Sequence, residues 1–387
     1  MTARAASGAV GVPGVYGALM GWELWLTIAS VAIACAALAV AVTVWRRTHP
    51  RRVVEPQAAD AEEPGKGQQV AVVVNPSKEG AAELVATVTR VCADAALPEP
   101  LFFETTVDEP GGPQARRAVA AGADVVVAAG GDGTVRAVAG ALTGGDVPMA
   151  IIPVGTGNLL ARNLDLPLSS VEDGMAVVLG GRDRHIDVGW ARVAETDVGL
   201  DGEPRPDAAV PGDTQLFLVI AGLGFDAAMV ADADDTLKRR VGWIAYFVAG
   251  VRHLHGRRMR AEVSIDGGEP VPTRLRSIMV GNCGRLPGGV TLLPDAEIDD
   301  GVLDVAAIDT RGGLAGWAQL LGEVVMQGAG LHNDLPGKIG RIDHARARRT
   351  RIRVEGGEHA QVDGDPMGRV IELEAWVDPG ALLVRTV

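Results

Sequence analysis

The chain has few cysteines, few histidines and no excess of positive charge, and each of these shortages excludes a class of protein. Its 387 residues include three cysteines (Cys35, Cys92 and Cys283), which are too few and too scattered for a disulfide framework and form no CxxC pattern for zinc. The seven histidines form no HExxH pattern. A formal net charge of −13 argues against a general nucleic-acid-binding surface. We therefore expect a reduced protein with no zinc centre and no nucleic-acid partner.

Two widespread phosphate-binding motifs are also missing. The sequence has no GxxxxGK[ST], which excludes a P-loop protein, and no clean GxGxxG, which excludes a standard dinucleotide-binding unit. The length exceeds one ordinary domain and predicts two domains and a tail.

The tail contains a long apolar run. Residues 22–45 have one charge, Glu23, and tryptophans at both ends, and about 20 such residues cross a bilayer. Arginines are concentrated after this run, which favours a membrane helix over a cleaved signal peptide and places the C-terminal part in the cytoplasm. We thus predict an extracytoplasmic segment 1–21, a transmembrane helix 22–45, a flexible linker 46–69 and a single-pass protein of the cell membrane.

Three apolar strands each end in a polar loop. Residues 70–74 precede Asn75-Pro76-Ser77, residues 124–129 precede Gly-Gly-Asp-Gly-Thr (130–134), and residues 148–153 precede Val-Gly-Thr-Gly-Asn (154–158). Strand, glycine-rich turn and helix together expose backbone N–H groups to a phosphate, and an aspartate in the turn indicates a nucleotide with Mg²⁺. Such loops meet in one crevice at the carboxyl ends of a parallel sheet.

The sequence pattern changes after about residue 184. Strands and helices alternate over 70–184, which predicts an α/β nucleotide-binding domain. Short strands with Gly, Pro and Asp turns follow over 185–369, which is typical of an antiparallel β-sandwich.

The series Asn-Pro-Ser, GGDGT, PVGTGN and a late Asp363-Gly364-Asp365 resembles the diacylglycerol kinase catalytic family, which includes bacterial lipid kinases and sphingosine kinases. The resemblance begins near Val70 and runs to the C-terminus. It implies a domain of the NAD kinase/diacylglycerol kinase type followed by a β-sandwich, with residues 370–387 returning to the first domain. It also implies that ATP is held by Asn75, Pro76, Ser77, Lys78, Glu79, Thr105 or Thr106, Gly131, Asp132, Gly133, Thr134, Val135, Arg136 and Thr156.

The resemblance assigns two further sites. Glu297, Asp300 and the backbone carbonyl of Val302 match a Mg²⁺ site, for which an acidic β-turn is the alternative. Asp365 stands where the family has a glutamate that accepts the hydroxyl proton, and aspartate is one methylene shorter. Arg136 stands in a place usually occupied by asparagine; it is expected either to bind a phosphate or to form a salt bridge.

From these residues we predict a lipid kinase that depends on ATP and Mg²⁺, with Asp365 and Asp132 as catalytic residues. The expected substrate is a membrane lipid presented by the bilayer, diacylglycerol first. A sphingoid-base kinase, an NAD kinase-like enzyme and a non-catalytic nucleotide-binding regulator are the alternatives, and a homodimer is left open.

Overall fold

Strands and helices alternate in the first half of the described chain, and strands dominate the second half. The computed structural model describes residues 67–198, 203–224, 258–285, 293–310 and 340–387. The helices of these residues are α1 (Ala81–Asp94), α2 (Gly112–Ala120), α3 (Asp132–Leu142), α4 (Leu159–Asn163) and α5 (Val171–Gly180). The strands of the first half are β1 (Val70–Val74), β2 (Leu101–Glu104), β3 (Val125–Gly130) and β4 (Met149–Pro153). Those of the second half are β5 (Arg182–Thr196), β6 (Thr214–Phe217), β7 (Ile220–Gly224), β8 (Met259–Ile265), β9 (Val271–Leu275), β10 (Ser277–Gly281), β11 (Leu303–Thr310), β12 (Gly340–Ala347), β13 (Arg349–Val362) and β14 (Asp365–Thr386).

The first four strands form a parallel sheet in the order β2-β1-β3-β4. Helices cover both of its faces. Val70 and Val72 pack in a cluster with residues of α1 and α5, whereas Ala71 and Val73 pack in a cluster with residues of α2 and α3. Because β1, β3 and β4 are buried on both faces, they are continuous apolar runs in the sequence, whereas the edge strand β2 is only partly buried and ends at the exposed Glu104. Their carboxyl ends lie at one edge, where the polar loops follow.

The second half is an antiparallel β structure. β7, β10, β11 and β12 are neighbours in that order, and β13 pairs with β7, β8 and β14. Its core is formed by alternate side chains of these strands, such as Leu223, Ile278, Ile352 and Leu373, together with Phe217 of β6. The expected combination of an α/β domain and an antiparallel β domain is therefore confirmed.

The last strand connects the two parts. β14 pairs with β13 over its first half and with β5 over its second half, and near its end Val384 pairs with Met149 of β4 in parallel. The C-terminal residues thus extend the parallel sheet of the first part by one short pairing.

The predicted single-pass membrane localisation requires a correction. None of the helices in the described ranges is long and apolar enough to cross a bilayer, and this finding contradicts that localisation. The predicted helix itself, residues 22–45, and the flanking segments 1–21 and 46–66 lie outside the described residues.

Candidate active site

One carboxylate joins the loop after β3 to the loop after β4. Asp132 is the first residue of α3. Its Oδ2 accepts a hydrogen bond from the backbone N–H of Asn158 (3.0 Å), and its Oδ1 accepts one from Leu159 (2.6 Å), the first residue of α4. The N–H groups at a helix start have no partner within the helix, so a carboxylate satisfies and stabilises them. Asp132 therefore holds both loops together at the carboxyl edge of the sheet.

Glycines allow close packing within the loop after β3 and between it and the loop after β4. A Cβ on Gly130 would lie 2.6 Å from the Cβ of Thr134, and a Cβ on Gly157 would overlap the carboxylate of Asp132. Both glycines have ordinary negative backbone angles, because neither is among the residues with positive φ. Lack of a side chain is thus what the loops require at these two positions.

Burial sets the electrostatics of Asp132. Removal from water raises the pKa of its carboxyl above the usual value, while the N–H bonds from Leu159 and Asn158 and the charge of Arg162 act in the opposite direction. Arg162 is itself held by a bond from its Nε to the carbonyl of Gly157 (2.7 Å). The two N–H bonds consequently hold the carboxylate in one orientation.

The loops after β1 and β2 complete this edge. The Oδ1 of Asn75 accepts hydrogen bonds from the N–H (3.0 Å) and hydroxyl (2.7 Å) of Ser77, which gives a compact turn. Thr105 is buried and its N–H bonds to the carbonyl of Val74 (2.9 Å), whereas the exposed Thr106 begins the next loop. Thr106 is therefore the threonine with the more accessible hydroxyl.

The remaining predicted nucleotide-binding residues differ in exposure. Pro76, Lys78, Glu79 and Thr156 are exposed, and Gly131 and Gly133 lie at the start of α3. Thr134 and Val135 are buried, and Val135 packs in the core cluster on the α3 side of the sheet.

A buried aspartate shapes the turn between β13 and β14. Asp363 and Gly364 have positive φ (47° and 88°), as the central pair of a type I′ hairpin turn requires. The Asp363 carboxylate accepts three backbone N–H bonds, from Leu218 (2.8 Å), Val219 (2.9 Å) and Ile220 (2.9 Å). Burial raises the pKa of Asp363 to about 6, against the effect of these bonds and of the Arg136 charge.

The hairpin turn is attached to helix α3. Arg136, on the first turns of α3, donates from Nη1 to the carbonyl of Val362 (3.0 Å) and from Nη2 to Oδ2 of Asp365. The Arg136 side chain is 18% exposed and that of Asp365 is 56% exposed. Of the two roles expected for Arg136, phosphate binding or a salt bridge, the structure shows the salt bridge.

An open cleft lies beside this ion pair. It has a volume of about 300 Å³ and is lined by Gly133 and Arg136 of α3, by Gln215 and Leu216 of β6, and by Asp365. The cleft thus brings the glycine-rich loop and the Asp-Gly-Asp turn to the same space, although they are more than 220 residues apart in sequence.

The predicted metal residues lie on the segment before β11. Asp300 is paired with the guanidinium of Arg346, and its Oδ1 accepts the N–H of Val302 (3.1 Å), while Glu297 is exposed. A guanidinium in contact with Asp300 repels a cation, so these residues as placed do not fit Mg²⁺. Within the described ranges, no group of three or more His, Cys, Asp or Glu side chains is arranged to hold a metal.

Two family descriptions match most of the described chain. Residues 69–191 match the description "Diacylglycerol kinase catalytic domain", and residues 219–386 match "YegS C-terminal NAD kinase beta sandwich-like domain". The resemblance found in the motifs is therefore confirmed.

Relatives agree with these matches. The protein named "Probable lipid kinase YegS-like" of Pseudomonas aeruginosa is 32% identical over 279 residues, which cover 69% of this chain and 78% of that protein. The "Diacylglycerol kinase" of Mycobacterium tuberculosis is 32% identical over 197 residues, covering 50% of this chain and 58% of that protein. A crystal structure of a diacylglycerol kinase from Bacillus anthracis has the same fold, with a TM-score of 0.57, 20% identity and coverage of 84% of this chain and 98% of the other.

Proposed function

The chain belongs to the diacylglycerol kinase catalytic family of lipid kinases, and from this membership we propose that it transfers the γ-phosphoryl group of ATP to the hydroxyl of diacylglycerol. The product would be phosphatidic acid. The observation that carries the proposal is the position of Asp365, a half-exposed carboxylate that faces an open cleft next to the first turns of α3.

The loops at the sheet edge are suited to hold the nucleotide. The N-terminus of α3 would offer backbone N–H groups of residues 131–134 to a phosphate, and the side chains of Asn75, Ser77 and Thr156 are polar groups on the neighbouring loops. Asp132 would keep these loops in place. Its oxygens accept N–H bonds from Asn158 and Leu159, and their remaining lone pairs would suit the hydration shell of a Mg²⁺ carried by ATP. Mg²⁺ would neutralise charge on the β- and γ-phosphates.

Asp365 would act on the lipid hydroxyl. The proton leaves the hydroxyl for a carboxylate oxygen of Asp365, and the lipid oxygen forms a bond to the γ-phosphorus. The bond from that phosphorus to the bridging oxygen of ADP breaks, and ADP leaves with the electron pair. The open cleft offers a route by which a lipid presented by a bilayer reaches this point.

A labelling experiment tests the proposal. Protein, γ-labelled ATP and Mg²⁺ are incubated with vesicles that contain diacylglycerol, sphingosine or monoacylglycerol, and Asp132→Ala is run in parallel. We expect label in a chloroform-soluble product of diacylglycerol, and none with the variant. Label in the sphingosine product instead would make the enzyme a sphingoid-base kinase.

Two further results would reject the proposal. Label transferred to added NAD and to no lipid would indicate an NAD kinase-like enzyme. ATP binding without transfer to any of these acceptors would indicate a nucleotide-binding regulator.

A further inference from the structure

The guanidinium of Arg136 bonds to a backbone carbonyl and to a carboxylate on the same hairpin. Nη1 bonds to the carbonyl of Val362, and Nη2 bonds to Oδ2 of Asp365. Val362 and Asp365 are the paired residues that flank the hairpin turn between β13 and β14. The planar guanidinium has its donors in a fixed arrangement, so these two bonds determine the direction of the carboxylate as well as its distance.

Both supports of this arrangement are rigid. Arg136 lies four residues after Asp132, on the same side of α3, and Asp132 is fixed by the N–H groups of Asn158 and Leu159. The hairpin is fixed by Asp363, whose carboxylate accepts three backbone N–H bonds. A single side chain thus connects the helix that begins at the proposed phosphate site to the turn that carries the proposed proton acceptor.

The arrangement leaves one carboxylate oxygen for chemistry. Oδ2 of Asp365 is bound by Arg136, and within the part of the chain that the structure describes no group donates a hydrogen bond to Oδ1. The side chain remains 56% exposed and lines the cleft. Without Arg136 this exposed side chain would sample several rotamers.

We propose that Arg136 is the positioning residue of this kinase, which holds the Asp365 carboxylate by one oxygen and aims the other at the lipid hydroxyl. The inference rests on the proposed function. It assigns Arg136 a role in the transfer step and none in nucleotide binding, because both terminal nitrogens are engaged by the hairpin and only 18% of the side chain is exposed.

A double-mutant cycle separates this role from the alternatives. Arg136→Gln and Asp365→Asn are made singly and together, and kcat and KM for ATP are measured with diacylglycerol vesicles. If Arg136 acts through Asp365, its substitution should have little effect on kcat once that carboxylate has been removed. We expect Arg136→Gln to lower kcat by roughly 10- to 100-fold with the KM for ATP within about twofold, and to lower the residual kcat of Asp365→Asn by less than about threefold.

Two results would overturn the inference. One is the same loss of kcat from Arg136→Gln in both backgrounds, and the other is an increased KM for ATP with an unchanged kcat, which would make Arg136 a phosphate ligand. A wild type that phosphorylates no lipid would reject the proposed function. The role of Arg136 is tested separately, by comparing variants of an active enzyme.

Two additional variants control for folding. Arg90→Gln breaks an exposed ion pair with Glu172, which joins α1 and α5 away from the cleft, and we expect its kcat to stay within about twofold of the wild type. Arg136→Lys replaces Arg136→Gln if the latter does not fold. Lysine keeps the charge but has one nitrogen for two acceptors, so we expect a kcat about tenfold below the wild type and the same loss of effect in the Asp365→Asn background.

Discussion

Gly155 lies so close to Gly131 that a Cβ on Gly155 would be 2.9 Å from the Cα of Gly131. The same Cβ would be 3.0 Å from Oδ1 of Asn158. Real Cβ atoms do not approach backbone atoms this closely, so a side chain at 155 must push the loop after β4 away from the loop after β3.

We expect Gly155→Ala to destabilise the protein by about 1–3 kcal/mol, the usual effect of overfilling a packed contact. It should weaken ATP binding as well, since it separates the two proposed phosphate loops. Denaturant unfolding and an ATP titration measure both effects. Gly180→Ala is the matched control, because a Cβ at Gly180 has no neighbour within 4 Å. Equal unfolding midpoints for the two variants would contradict the close contact.

Asp132 accepts two N–H bonds with two oxygens, which an amide cannot do. Asp132→Asn leaves one acceptor, and its NH2 group would face a backbone N–H of Asn158 or Leu159. We expect a loss of about 1–3 kcal/mol in the free energy of unfolding, from one unsatisfied donor and the lost charge at the start of α4. Chemical unfolding at pH 7 measures the loss. A variant as stable as the wild type would show that Asp132 does not join the two loops.

The strands and phosphate-type loops were predictable because their signals are local. A strand buried on both faces, such as Val70–Val74, is an apolar run wherever it occurs, and a glycine-rich turn after it marks the sheet edge. The order of the motifs was enough to identify the family and to propose roles for Asp132 and Asp365.

The contacts that organise the site depend on residues far apart in the chain. Residues 216–221 have the pattern of one strand, yet β6 ends at Phe217 and β7 begins at Ile220. The reason is the carboxylate of Asp363, about 145 residues later in the chain. It accepts hydrogen bonds from the backbone N–H groups of Leu218, Val219 and Ile220. Likewise, the sequence did not determine whether Arg136 binds phosphate or a carboxylate, because Asp365 is 229 residues distant.

Asp363 predicts a pH dependence of stability. Its pKa is about 6 in the folded protein, where burial disfavours the charge, against 3.8 as the ordinary value. Between about pH 4 and 6 the folded state therefore binds more protons than the unfolded state, and the contribution of Asp363 to stability is lost as the pH rises through this window. The slope approaches roughly 1.4 kcal/mol per pH unit.

The comparison of the wild type with Asp363→Asn isolates this contribution. The variant has no titrating group at 363, so we expect the substitution to cost less stability at pH 7 than at pH 4. Unfolding free energies measured at several pH values give the difference. We expect the same pH dependence for Asp304→Asn, because burial and the charges of Asp295 and Glu297 raise the pKa of Asp304 to about 6 as well. A cost of Asp363→Asn that is independent of pH would refute the assignment.

Arg346 bears on the predicted metal site. Its guanidinium pairs with Asp300 and lies 4.0 Å from Asp304, so it competes with any cation for these carboxylates. If Glu297, Asp300 and Val302 bind Mg²⁺, removal of the competing guanidinium of Arg346 should strengthen the binding. In that case Mg²⁺ should raise the unfolding temperature of Arg346→Gln more than that of the wild type or of Arg260→Gln, which breaks an exposed pair with Glu355 elsewhere. Asp300→Asn combined with Arg346→Gln should abolish the difference. The same response to Mg²⁺ and to EDTA in all of these variants would instead support the acidic β-turn, with Arg346 as its counter-charge and no metal at these residues.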